Sequence, residues 1–215
     1  MTAILSGQPP AAADRQLEHS GSGKEMETHG MTIDRRSVLK NGAFGLFAFK
    51  FGLTEAFLTP KQARAEAAQY RTLAAAEVDT LEALGEVLVP GSAEQGLAHF
   101  VDSQISGDPS DSLLMIRYMD VPPPHAPFYQ GGLAALNGVA ETRHGKAFAD
   151  LDAAKADALV GEISASQPAE WQGPPAPLFY FVARADAVDV FYGTEEGFER
   201  LGVPYMAHIE PPTRW

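Results

Sequence analysis

Cysteine is absent from the 215 residues. That one absence excludes disulfides, thiolate metal sites, iron–sulfur clusters, a cysteine nucleophile and covalent attachment of c-type haem. Basic residues are scarce, with 16 Lys and Arg against 28 Asp and Glu and a formal net charge of −12. The deficit is uneven: residues 1–65 hold 8 basic and 6 acidic side chains, whereas residues 66–215 hold 8 and 22. So acidic a surface repels nucleic-acid phosphates and anionic lipid headgroups, and no nucleic-acid partner is expected. Glycine-rich cofactor signatures are missing as well. The chain has no Gly-x-Gly-x-x-Gly after a strand, no Gly-Lys-Ser/Thr phosphate loop and no Gly-x-Ser-x-Gly elbow, so neither a nucleotide nor a flavin is expected to bind it. A long apolar run is lacking too. Lys50 and Glu55 interrupt the N-terminal candidate, and a membrane-spanning helix needs about 20 mostly apolar residues.

What remains is an ordinary globular composition, 45% hydrophobic and 20% charged. Without disulfides, such a chain must rest on its core, and at about 150 residues a domain buries roughly 68–70% of its chain surface. One domain preceded by a processing segment is therefore expected, divided near residue 65.

Residues 1–30 carry Ala, Gly, Ser, Pro and scattered charge without periodicity and read as a disordered leader. Next come Asp34-Arg35-Arg36-Ser37-Val38-Leu39-Lys40, a glycine-diluted apolar stretch from Gly42 to Phe49, and Ala63-Arg64-Ala65. Basic region, apolar region and small-x-small site stand in the order of an export signal. The first of these resembles the twin-arginine translocation signal through Arg35, Arg36, Leu39 and Lys40, which implies export to the periplasm and the translocase as a transient partner. Ala63 and Ala65 are the expected cleavage residues.

The acidic part reads as all-α. Val78, Leu81, Leu84, Val87 and Leu88 recur at three and four residues and predict a helix over Ala75–Val89, stopped at Pro90-Gly91. Leu97, Phe100, Val101 and Ile105 predict a short second helix. A patch of Leu113, Leu114, Ile116, Tyr118 and Met119 follows, closed by the stiff run Val121–Pro124. Leu133, Leu136, Val139 and Ala140 mark a helix from about 127 to 143, ended by His144-Gly145. Asp152 is a candidate N-cap for a helix burying Leu159, Val160 and Ile163. Leu178, Phe179, Phe181, Val182, Val188, Val190 and Phe191 form the most apolar stretch. A central buried helix is the better reading there, with a strand competing because Phe and Val favour sheets. Tyr192–Trp215, rich in Gly, Pro and aromatics, is expected to be extended and irregular.

Catalytic constellations are weak. His99, His125, His144 and His208 lie far apart with no His-Glu-x-x-His pairing, and surface or packing roles suit them better than a metal. The pairs Asp150/Asp152 and Glu195/Glu196 read as solvated acidic faces. Aromatic side chains beside rigid prolines, by contrast, anchor partners at low entropy cost. The expected interface is therefore His125, Phe128 and Tyr129 after the proline run, together with Phe198, Tyr205, Met206, His208 and Trp215.

Several stretches resemble the gluconate 2-dehydrogenase subunit 3 family, the small subunits of exported flavin-dependent sugar dehydrogenases. They are Leu81–Gly91, Gly96–Ile105, Tyr129–Leu136 and Arg143–Phe148, with the twin-arginine leader. The terminal segment Tyr192–Pro212 departs from the commonest family form and leaves gluconate 2-dehydrogenase-like and glucoside 3-dehydrogenase-like branches open. The resemblance implies a non-catalytic small subunit that supports maturation and export of a large FAD-dependent subunit. No cofactor is expected in this chain, FAD is expected in the partner, and a cytochrome c subunit is a further candidate partner. The alternatives are an independent exported binding or scaffold protein and, more remotely, an enzyme using His125 and His208.

Overall fold

The computed structural model describes residues 46–203. Two strands, β1 (Phe47–Phe51) and β2 (Thr54–Leu58), precede seven helices: α1 (Pro60–Ala65), α2 (Ala75–Leu88), α3 (Leu97–Ile105), α4 (Ala126–His144), α5 (Ala153–Ala165), α6 (Ala176–Tyr192) and α7 (Glu195–Arg200). Short 3₁₀ turns occupy Pro109–Asp111, Met115–Tyr118 and Phe148–Asp150. The expected helical class holds. The antiparallel β1–β2 pair, with Phe47 opposite Leu58 and Phe51 opposite Thr54, is an addition to it.

Local chemistry sets the helix limits. The Glu77 carboxylate accepts the Ala74 N–H at 2.8 Å at the start of α2, and Pro90 lies just past its end. Asp152 caps α5 as its position promised, accepting the Lys155 N–H at 3.1 Å. Gly145 closes α4 in a left-handed conformation. Thr194 accepts the Gly197 N–H at 2.9 Å and starts α7, a helical turn inside the stretch expected to be irregular.

The interior is organised on α6. It packs against α2, α3, α4, α5 and α7, and its buried residues Phe179, Val182, Ala183, Asp186, Ala187 and Val190 recur at three and four. The strand alternative for this stretch is thereby removed. Helices α4 and α6 approach closely at Gly132, where a Cβ would meet the Phe179 ring at 2.2 Å. Only glycine leaves room for that ring. Asn137 ties three segments together: its side chain donates to Thr80 Oγ1 on α2 at 2.6 Å and accepts the Phe148 N–H at 2.8 Å. Arg143 at the end of α4 binds Glu162 of α5 and Glu170 of the following loop.

A second, smaller apolar cluster, Phe49, Leu58, Ala63 and Ala68, lies under the hairpin and α1. Phe47 turns its ring edge-on to Phe100 of α3, centroids 5.7 Å apart. The boundary expected at residue 65 thus falls inside packed structure: Ala63 has no exposed surface.

Candidate partner-binding surface

The proline run delivers the chain to α4, and the first turn of that helix places His125, Phe128 and Tyr129 inward. All three are buried. His125 Nε2–H donates to the Val121 carbonyl at 3.3 Å, which folds the connection back on itself. Phe128 meets Tyr129 and Phe179 at centroid distances of 5.6 and 6.0 Å, and Trp171 joins Phe179 at 5.8 Å. The Trp171 indole N–H donates to the Pro174 carbonyl at 2.6 Å. These aromatics form the interior of the domain, so a partner could touch them only if the helices opened.

Tyr129 also explains why it points inward. Its hydroxyl donates to the carboxylate of Asp186 on α6, and the other carboxylate oxygen accepts the Met115 N–H at 2.8 Å. Asp186 is wholly buried. Desolvation pushes its pKa up to about 7 against the two hydrogen bonds that favour the charged form. Burial likewise raises the Tyr129 phenol well above its ordinary value, with the Asp186 charge adding to it. The sequence offered no hint of Asp186, because its partners lie 57 and 71 positions away. Its work is to hold the 3₁₀ turn Met115–Tyr118 on α6, and that turn carries the surface next to it.

On that surface Leu113, Tyr118 and Met119 are exposed apolar side chains, and Pro122, Pro123 and Pro124 are exposed beyond them. Arg117 stacks on Tyr118, its guanidinium carbon 5.7 Å from the ring centroid, and donates to the Ser112 carbonyl at 2.8 Å. The segment 113–124 is therefore a pinned, proline-bounded ledge, largely apolar with Arg117 and Asp120 exposed among its apolar side chains. Phe181 on α6 and Leu201 and Val203 after α7 are also exposed. Phe198 is half-buried on α7, where Arg200 caps the Phe191 ring at 5.0 Å. Tyr205, Met206, His208 and Trp215 lie outside the described residues, as do Arg35, Arg36, Leu39 and Lys40 of the export signal.

The remaining candidates have other partners. His99 is buried, its Nε2 within 3.2 Å of the Ala68 carbonyl and its Nδ1 within 3.1 Å of the Tyr70 hydroxyl. A carbonyl only accepts, so Nε2 carries the proton and Nδ1 accepts from Tyr70. Burial lowers the His99 pKa, which favours the neutral ring. Beside it, the buried Asp102 carboxylate accepts the backbone N–H groups of Arg71, Thr72 and Leu73 at 2.8–2.9 Å. Among the described residues no group of three His, Asp or Glu side chains could hold a metal ion, and no helix is long and apolar enough to cross a membrane. A cavity of about 300 Å³ beside His144 and Lys155 is flanked by Arg143, whose charge is already taken up by Glu162 and Glu170.

Residues 75–208 match the sequence model of a family described as gluconate 2-dehydrogenase subunit 3, a span that begins with α2 and runs beyond α7. No curated protein and no solved structure matches the chain.

Proposed function

We propose that this chain, which belongs to the gluconate 2-dehydrogenase subunit 3 family, is the non-catalytic small subunit of a periplasmic FAD-dependent sugar dehydrogenase. It serves the maturation and export of the catalytic subunit, which oxidises a sugar or sugar acid with its own FAD and passes electrons onward, a cytochrome c subunit being the acceptor the family resemblance favours. The observation that carries this reading is the family match across the helical domain from α2 onward. The arginine pair Arg35-Arg36, followed by Leu39 and Lys40, supplies the route, since twin-arginine export moves proteins already folded and so can carry a bound partner.

The ledge Leu113–Pro124 is the surface we assign to the large subunit on this chain, in place of the inward-facing His125, Phe128 and Tyr129. It is largely apolar, bounded by prolines and held through Met115 and Asp186, which are the conditions under which aromatic side chains bind with little ordering cost. Tyr205, Met206, His208 and Trp215 belong to the same proposal as a second contact.

Co-expression tests the reading directly. The large FAD-dependent subunit should be active and periplasmic only when this chain accompanies it, and the pair should co-purify. A large subunit that reaches the periplasm active without this chain would sink the proposal and leave an independent scaffold as the better account.

A further inference from the structure

The stretch from Leu46 to Glu66 spans both the end of the apolar targeting run and the small-x-small site Ala63-Arg64-Ala65. It is built into the domain from both directions. Upstream of Ala65, the inner face of the hairpin contributes Phe49 and Leu58 to a cluster with Ala63 and Ala68, while Phe47 and Phe49 turn their rings onto Phe100 and His99 of α3 at 5.7 and 6.0 Å. Downstream, the chain returns to the hairpin: the Gln69 N–H donates to the Lys50 carbonyl at 2.9 Å, and Arg71 pairs with Glu55 at 2.8 Å. His99 and Asp102 then fix residues 68 and 70–73 through the hydrogen bonds described above.

Between these two anchorages α1 is closed at its start by a reciprocal cap. Thr59 accepts the Gln62 N–H at 3.2 Å and Gln62 accepts the Thr59 N–H at 3.0 Å. Lys61 reaches Glu196 on α7 at 2.9 Å and Arg64 reaches Glu82 on α2 at 3.0 Å. The start of α3 is shaped around α1 as well. Gly96 has φ +88°, and a Cβ there would lie 2.2 Å from the Pro60 carbonyl oxygen. Any other residue at 96 would have to displace α1 and adopt a strained backbone. A helix start moulded so closely to a segment is what a permanent neighbour produces.

We infer that residues 46–66 are a permanent part of the working domain and that the bond after Ala65 is not a processing site in the folded chain, the removable targeting segment ending upstream of Leu46. A peptidase must take several residues in extended form, so cutting after Ala65 requires α1 to unwind, Ala63 to leave the cluster and the Ala68 N–H to give up the Ala63 carbonyl, 2.9 Å away. The route invoked in the proposed function delivers a folded chain to the peptidase, and in that clause alone the inference rests on the export reading. Cutting would also not free the hairpin, whose contacts with α3 and residues 69–71 are non-covalent. The domain is thus larger at its N-terminus than the family match from residue 75 indicates.

Three measurements test this. In the purified full-length chain, trypsin should cut the Arg64–Ala65 bond only through global unfolding, so that its rate rises with denaturant in step with the unfolding constant. A rate insensitive to denaturant would overturn the inference. Intact-mass analysis of the protein recovered from its native cells should give an N-terminus at or before Leu46; one at Glu66 would overturn it. If the chain is found in the cytoplasm, the export reading fails while the trypsin experiment still decides this one. A chain beginning at Glu66 should melt ~10 °C or more below one beginning at Leu46, or fail to fold. Equal melting temperatures would count against the inference.

Discussion

The α4–α6 interior and the hairpin with α1 are fastened by opposite means. Between α4 and α6, ring packing of Phe128, Tyr129, Trp171 and Phe179 does most of the work, and one carboxylate, Asp186, is enclosed with both oxygens satisfied. In the hairpin and α1 the apolar cluster is small, and three ion pairs, to Arg71, Glu82 and Glu196, run across its outside. Exposed pairs of that kind contribute typically 0–1 kcal/mol each. The position of this strap, the hairpin with α1, therefore depends on Phe49, Leu58 and Ala63 and on the close fit of Pro60 to Gly96, with the charges setting its orientation. A buried carboxylate and an exposed one also respond to pH in opposite senses. Asp186 is pushed up to about 7, while the hydrogen bond from Lys61 foremost, then those from Gln95 and Arg200, hold Glu196 down at about 2.

The contrast breaks most visibly at Phe179. Phe179→Ala should cost ~3–5 kcal/mol by denaturant midpoint, because it removes a ring that Gly132 was left open to receive. Asp186→Leu should cost somewhat less, about 2–3 kcal/mol, since it strands the Met115 N–H and the Tyr129 hydroxyl in the interior. The conservative Asp186→Asn sharpens the point through pH. The folded pKa of Asp186 lies above its unfolded value of 3.8, so the folded state holds more protons in between. Its contribution to stability is fully present below about 4 and is lost as pH rises through about 7. Urea melts of the wild type should show that fall, and Asp186→Asn should flatten it; an unchanged slope would remove Asp186 as its source.

Smaller effects belong to the strap. Phe49→Ala should lower stability less than Phe179→Ala does, because its cluster is small, and should speed tryptic cutting at Arg64 by the same factor as it raises the unfolding constant. A larger acceleration would mean that the strap opens by itself. Glu196→Ala, which removes the acceptor shared by Lys61, Gln95 and Arg200, should shift the midpoint by only ~0.5 kcal/mol. That shift should shrink in salt.

Helices α2 to α6 were legible because each buries one face and therefore repeats at three and four residues: Val78–Leu88, Leu133–Ala140 and Leu159–Ile163 announce themselves, as do the Asp152 cap and the Gly145 stop. The hairpin was hidden by a competing reading. Phe47, Phe49 and Phe51 alternate as a strand with one buried face should, yet the same residues extend a basic-then-apolar targeting pattern, and the pairing with Leu58 and Ala56 that decides between them is tertiary. The inward turn of His125, Phe128 and Tyr129 was hidden for a related reason. An aromatic beside a proline run looks alike in sequence whether it faces a partner or its own core, and only Asp186 and Phe179, distant along the chain, turn these inward. Leu113, Tyr118 and Met119 were visible as an apolar patch, but which of the patch points outward is set by the turn at Met115–Tyr118. Helix α7 escaped notice because Gly193 precedes so short a turn and Gly197 lies within it.

Trp171, wedged on Phe179 with its indole N–H on Pro174, makes the entrance to α6 visible by light. An indole shielded from water emits at shorter wavelength than one in solvent, and the sequence holds only one other tryptophan, Trp215. With Trp215→Phe the chain becomes a single-emitter instrument. Its colour then reports whether the α6 entrance is shut as the isolated chain is taken through denaturant, without any label having been attached.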